Sequence, residues 1–204
     1  DRIQYHDGAF KSIDNYSYLV IRNEAIPINV YIGVDIAATA TQNSDFQVIM
    51  VIGVDSNKNR YILEYYRERI PTFDLPEQII KLARKYTPVR RVTIETVAAQ
   101  EMVRDMVTRM ASEDRRLIPG IFKGVKPPAG IKKADRLETS LGPIVNSKKL
   151  YIRREMTELV DEMFEHPVPK NDDLMDGLYY ADYYSKAPLS TAISVGEMRA
   201  GKKK

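Results

Sequence analysis

Tyr31-Ile32-Gly33-Val34-Asp35-Ile36-Ala37 is the stretch whose reading decides the fold. Strand periodicity sends Ile32, Val34 and Ile36 to one face, where their β-branched side chains suit a buried sheet. Asp35 then emerges on the opposite face, near the strand's end. A carboxylate rimmed by apolar residues must be neutralised by a partner, a proton or a metal. Two later stretches supply partners. Arg91-Val92-Thr93-Ile94-Glu95-Thr96 reads as a second strand ending in a carboxylate, and Asn171-Asp172-Asp173-Leu174-Met175-Asp176-Gly177 opens a helix with clustered acids. Three acidic stations on separate elements point to a divalent-metal site.

The composition narrows the chemistry. A chain of 204 residues with 44% hydrophobic and 29% charged residues suits one folded core and excludes wholesale disorder. No apolar run approaches the roughly 20 residues that span a bilayer, and no signal-peptide pattern opens the chain, so neither a membrane partner nor secretion is expected. With no cysteine, a metal site must use oxygen ligands or the two histidines, His6 and His166. That favours a hard cation, Mg²⁺ or Mn²⁺. The net charge of +3 is unevenly spread. Residues 121–154 hold nine Lys or Arg against Asp135 and Glu138, leaving the remainder net acidic. A basic block beside an acidic pocket suits a phosphate-backbone reader with a metal centre, although a lysine-rich solvated surface reads the same way.

Periodicity predicts strands at 30–37, 46–54 and 60–69, with Asp55 to Asn59 as the turn of an antiparallel meander. The small, polar loop from Ala37 to Asp45 lies beside Asp35; Asp45 is read as a turn or cap, or as a peripheral metal contact. A helix is predicted from Asp74 or Thr72 to about Tyr86, then strand 91–96. A strand, a helix and a strand in that order imply parallel pairing, which would bring Asp35 and Glu95 to like ends if the strands are neighbours. A helix over about 98–109 and a strand over 117–122 follow. Lys123 to Gly130 reads as a stiff basic loop, and a helix from Lys132 is expected to stop at Gly142-Pro143. A short strand around Leu150 comes next, then a helix over about 155–164 with Met156, Leu159, Val160, Met163 and Phe164 as its core stripe. Asn171 is the expected N-cap of a helix running to about Lys186. Asp172 and Asp173 in its first turn suit the helix dipole, but with Asp176 they exceed capping needs.

This ordered set of elements and acids resembles the ribonuclease H fold, and more closely the nuclease domain of the tailed-phage terminase large subunit. The residues carrying the resemblance are Ile32 to Ala37, Val92 to Glu95 and Asn171 to Ala181, with Lys133 to Ile152 similar to the family's basic helix, Pro break and short strand. It implies an α/β fold, a ribonuclease H-like mixed central sheet flanked by helices, over about residues 30–186. The expected division is an N-terminal arm or interdomain linker remnant at 1–28, the nuclease domain at 29–188 and a flexible basic tail at 189–204. A start at Asp1 rather than methionine reads as an excised fragment. No G-x-x-x-x-G-K-[ST] motif occurs, so the ATPase domain of the full-length subunit is expected as a partner outside these residues, together with the portal protein.

The implied activity is a Mg²⁺- or Mn²⁺-dependent endonuclease cutting concatemeric double-stranded DNA during genome packaging in the host cytoplasm. Asp35, Glu95 and Asp173 are the candidate catalytic residues. The same three with Asp172 are the candidate ligands of two ions, and Asp45 and Asp176 are peripheral candidates. Lys123, Lys126, Lys132, Lys133, Arg136, Lys148 and Lys149 are the candidate DNA contacts. His166 is read as structural. Two alternatives share these residues: a Holliday-junction resolvase or transposase-like nuclease, and a module that binds DNA without cutting it.

Overall fold

The computed structural model describes residues 2–37, 46–96, 100–169, 171–189 and 193–199. Along them run β1 (Gln4–Tyr5), β2 (Ala9–Ile13), β3 (Tyr16–Ile21), β4 (Glu24–Asp35), β5 (Gln47–Val54) and β6 (Arg60–Glu68). Then come α1 (Leu75–Lys85), β7 (Val89–Glu95), α2 (Gln100–Glu113), β8 (Phe122–Val125) and α3 (Lys133–Asn146). The chain continues through β9 (Leu150–Ile152), α4 (Thr157–Glu165), α5 (Asp173–Asp182), β10 (Ile193–Ser194) and α6 (Val195–Arg199). A mixed α/β architecture results, as the sequence leads one to expect.

The long strand β4 organises both parts of the sheet. Its first half pairs with β3 on one side and β10 on the other, since Ala25 faces both Val20 and Ile193. Its second half lies between antiparallel β5 and parallel β7. Outward from there, β6 pairs antiparallel to β5, and β8, β9 and β1 add parallel strands to β7, β6 and β9. The expected meander and the parallel pairing of the two acid-bearing strands are both present.

Alternation along β4 separates two cores. Val30, Ile32, Val34 and Ile36 pack with Leu75, Ile79 and Ala83 of α1 and Val103 and Val107 of α2. Tyr31 joins Val48, Met50 and Ile52 of β5 on the opposite face, under Leu137 and Leu141 of α3, Leu159 of α4 and most of α5. Eight consecutive residues of α5, Leu174 to Ala181, are buried, so this helix has no solvent face to set its orientation. Contact with the sheet sets it. Gly33 faces α5 so closely that a Cβ there would lie 2.1 Å from the backbone nitrogen of Ala181 and 2.2 Å from the carbonyl oxygen of Gly177. Gly177 in turn faces Val48 and Met50 of β5.

Several boundaries differ from expectation for identifiable reasons. The strand expected at 117–122 is a single 3-10 turn at Pro119–Ile121, and β8 begins at Phe122. Helix α3 runs through Pro143 to Asn146. Gly142 lacks the Cβ that clashes with a following proline ring, so the helix is not forced to stop. Phe164, expected in the core, is 78% exposed. The arm boundary expected after residue 28 lies within β4, at the point where its pairing passes from β3 at Ile28 to β5 at Asn29. Residues 193–199, expected to belong to a flexible tail, form β10 and α6, with Ile193 and Met198 buried against Tyr18 and Ala25.

The Gly33 contact is with backbone, which cannot rotate away. Gly33→Ala should lower unfolding free energy in urea by about 3 kcal/mol or more, at the upper end of overpacking costs. Gly120→Ala, where an added Cβ meets none of the described residues within 4 Å, should stay within about 0.5 kcal/mol of the parent.

Candidate metal centre

Register places the first two acids side by side. Gly33 pairs with Thr93 and Val34 with Ile94, so Asp35 and Glu95 follow at the next step, on the face that carries α5. Their carboxyl groups share a hydrogen bond, which requires that one of them hold a proton. Burial raises the pKa of Asp35 well above the usual carboxylate range, and the negative charge of nearby Asp176 and the contact with Glu95 raise it further. Asp35 keeps some exposed surface at the strand's end, yet burial remains the largest cause. The buried hydroxyl of Tyr180 lies against the same pair: burial and then the charge of Glu95 push its pKa far up. Among the described residues no well-aligned hydrogen bond satisfies that hydroxyl.

Of the α5 acids, Asp176 is the one whose charge bears most on Asp35. Asp176 is 2% exposed and faces Asp35, while α3 supplies its counter-charges. Arg136 Nη2 donates to Asp176 Oδ1 at 2.7 Å, and Lys133 Nζ contacts Asp176 Oδ2 and reaches Asp172 Oδ1 at 2.7 Å. The pKa of Asp176 is still raised, because burial outweighs these cations. Helix pitch puts Asp172 and Asp176 on one face, where Lys133 meets both. Asp172 and Asp173 stand at the helix start, and Asp176 one turn further on reaches over the sheet beside Gly177.

Asp173 forms an ion pair instead with Arg67 Nη2 at 3.6 Å. That guanidinium, stacked 4.1 Å from the Phe46 ring centroid, also pairs with Glu162 of α4 at 3.4 Å. Glu162 does what Asn171 was expected to do. Its Oε2 accepts the backbone N–H groups of Leu174 and Met175 at 3.0 and 3.2 Å, whereas Asp172, at the N-cap, makes no side-chain cap bond. Burial pushes the Glu162 carboxyl up to about 7, against the opposing pull of the Met175 amide and Arg67. Arg67 sits level with Asp35 across β5, since Asp35 pairs with Val48 and Val48 with Arg67. Strand alternation from Tyr65 could have placed Arg67 on this face; nothing in the sequence pointed to Glu162.

The basic candidates divide by position. Lys133 and Arg136 are in the acid cluster itself. Lys126 and Lys132 are exposed, Lys126 directly after Val125, which pairs with Glu95. Lys123 is exposed beside Thr93. Lys148 and Lys149 sit at the other end of the sheet: Lys149 accepts the Arg60 backbone N–H and its Nζ donates to the Asn57 carbonyl. Arg60 and Arg67 are seven strand steps apart on β6, about 23 Å. His166 is the C-cap residue of α4. Asp45 lies outside the described residues.

The donor set suits a hard divalent cation: buried carboxylate oxygens that must otherwise share protons to coexist. Among the described residues no three acid or imidazole groups stand as a ready-made metal cage. At Asp176, Lys133 and Arg136 hold both oxygens.

Two outcomes follow from this charge balance. The folded protein retains a proton on Asp35 that the unfolded chain releases above about pH 4, so stability falls as pH rises past that value. In chelator at pH 7.5, Asp35→Asn should therefore melt at least about 2 °C higher than the parent, with the difference vanishing near pH 4. An unchanged or lower melting point at pH 7.5 would contradict the reading. Glu162→Ala leaves two buried amides without an acceptor and should cost about 1–3 kcal/mol in urea unfolding.

Similar folds occur among solved structures. The large terminase nuclease from thermophilic phage G20c, solved with bound zinc, superposes with a TM-score of 0.59 at 16% identity, covering 91% of this chain and 96% of that one. A second structure of that nuclease gives 0.57 at 15% identity over the same shares. The large terminase nuclease domain of Thermus phage P74-26 gives 0.53 at 14% identity, covering 93% and 96%. At such identities these likenesses establish the fold. No match was found among curated proteins. Among the described residues no helix is long and apolar enough to cross a membrane. The terminase RNaseH-like domain matches residues 32–181, a span that runs from the end of β4 into the last turn of α5 and holds Asp35, Glu95 and Asp176, and the chain belongs to that family.

Proposed function

We propose that this chain is a divalent-metal-dependent endonuclease that cuts double-stranded concatemeric DNA during viral genome packaging in the host cytoplasm. The observation that carries the reading is the convergence of Asp35, Glu95 and Asp176, from β4, β7 and α5, at one end of the sheet. Asp35, Glu95 and Asp176 would hold Mg²⁺ or Mn²⁺, two ions being the expectation for an all-carboxylate donor set. When bound, such ions supply Lewis-acid activation of water and of the scissile phosphate.

The protein's own residues do the rest. Glu162 and Arg67 fix the first turn of α5, and thereby the depth at which Asp176 is delivered. Asp172 and Asp173 hold Lys133 and Arg67 in place. Tyr180 closes the inner wall against Glu95 and keeps bulk water from the acids. Lys123 and Lys126 lie beside β7, and Lys132 opens α3, where they would contact the phosphate backbone without reading bases. The portal protein and an ATPase domain are the partners such a nuclease would serve.

Cleavage of supercoiled plasmid with Mg²⁺, Mn²⁺, Ca²⁺ and chelator in parallel tests the reading. Nicked and linear products should form with Mg²⁺ or Mn²⁺ and not with chelator. Asp35→Asn and Asp176→Asn should each reduce cutting to background while binding of a duplex persists. Cutting that survives either substitution would refute the assignment. Preferential cutting of a four-way junction over linear duplex would favour the resolvase alternative.

A further inference from the structure

Lys133 is in an unusual position for a surface lysine. It is the first residue of α3, where the helix dipole disfavours a cation. Its ammonium is nonetheless held among acids, against Asp172 Oδ1 and Asp176 Oδ2 and close enough to Asp35 to stabilise that carboxylate's charge. Arg136 takes the remaining oxygen of Asp176. The two cations differ in freedom. The Arg136 side chain is 10% exposed, with the rings of Tyr179 and Tyr180 at 4.8 and 5.8 Å from its guanidinium carbon. The Lys133 side chain is 41% exposed, and it follows Ile131 and Lys132, both exposed. Of the two, Lys133 can leave without disturbing the core.

We propose that Lys133 is an internal counter-ion that a divalent metal displaces from Asp176, and that the released ammonium then becomes a contact for the DNA backbone. The inference rests on the metal-site reading above. An ammonium and a divalent cation compete for the same anionic oxygens and repel each other at close range. Metal binding must therefore loosen Lys133, and by linkage Lys133 must weaken metal binding to the same degree. A lysine suits such a hand-over because its flexible stem lets one compact charge serve two partners in turn. Metal loading and DNA engagement become coupled, so that the backbone is gripped at this position chiefly when the site is charged for cutting.

Isothermal titration with Mn²⁺ at fixed ionic strength tests the proposal. Lys133→Met and Lys133→Gln should bind Mn²⁺ about tenfold more tightly than the parent, within the range of ordinary coupling. Lys133→Arg, which keeps the charge, should stay near the parent. Both neutral variants should melt lower in chelator, since buried Asp176 loses a partner, and are titrated well below their midpoints. The gain in duplex affinity on adding Ca²⁺ should be smaller in both neutral variants than in the parent. Unchanged or weaker Mn²⁺ binding in both neutral variants, with binding abolished in Asp35→Asn, would overturn this inference and leave the metal site standing. Parental Mn²⁺ affinity in Asp35→Asn would overturn both.

Discussion

The approach of α5 to the backbone of Gly33 is the constraint on which the rest of this structure depends. A helix buried along eight consecutive residues has no polar face to fix its rotation. Its position is decided by the place where it can come closest to the sheet, and Gly33, with no Cβ, is that place. Because Gly33 and Asp35 are two residues apart on one strand, the gap that admits the helix and the carboxylate that meets it share a face. Seating α5 on Gly33 thus carries Asp176 to Asp35.

Bringing acids together in a buried site creates an electrostatic problem that the fold solves with cations and protons. Arg67 holds Glu162 and Asp173, Lys133 and Arg136 hold Asp176, and burial favours a proton on Asp35. Each element of the α-helical layer over this face contributes: α3 the cations, α4 the remote cap of Glu162, α5 the acid. The arrangement is less stable than an uncharged one would be, which is the usual signature of a site kept for chemistry rather than for folding.

The remainder of the chain supports β4 from its other end. Tyr31 OH donates to the Lys186 carbonyl and accepts the Lys186 backbone N–H, tying the segment after α5 to the middle of the strand. Arg60 pairs with Asp182 at the last turn of α5. Strands β3 and β10 complete the pairing of β4's first half, which would otherwise expose hydrogen-bonding edges on both sides.

Much of this was legible in the residues themselves. The alternation through Ile32, Val34 and Ile36 fixed which face of β4 is buried under α1 and α2, and the order of a strand, a helix and a strand implied the parallel pairing that sets Asp35 beside Glu95. Those features are local, and local periodicity determines them. Which of Asp172, Asp173 and Asp176 reaches the cluster was not legible, because it depends on where a uniformly buried helix docks and on how it is rotated there. Nor was the capping by Glu162, which comes from a residue more than ten positions upstream, or the location of Lys148 and Lys149 at the distant sheet end, which depends on β9 pairing with β6. A lysine in a basic stretch reads as a surface charge. Only the packing of α3 against α5 made Lys133 a partner of buried carboxylates, since charge pairing across elements is decided by distance in space and not by spacing along the chain.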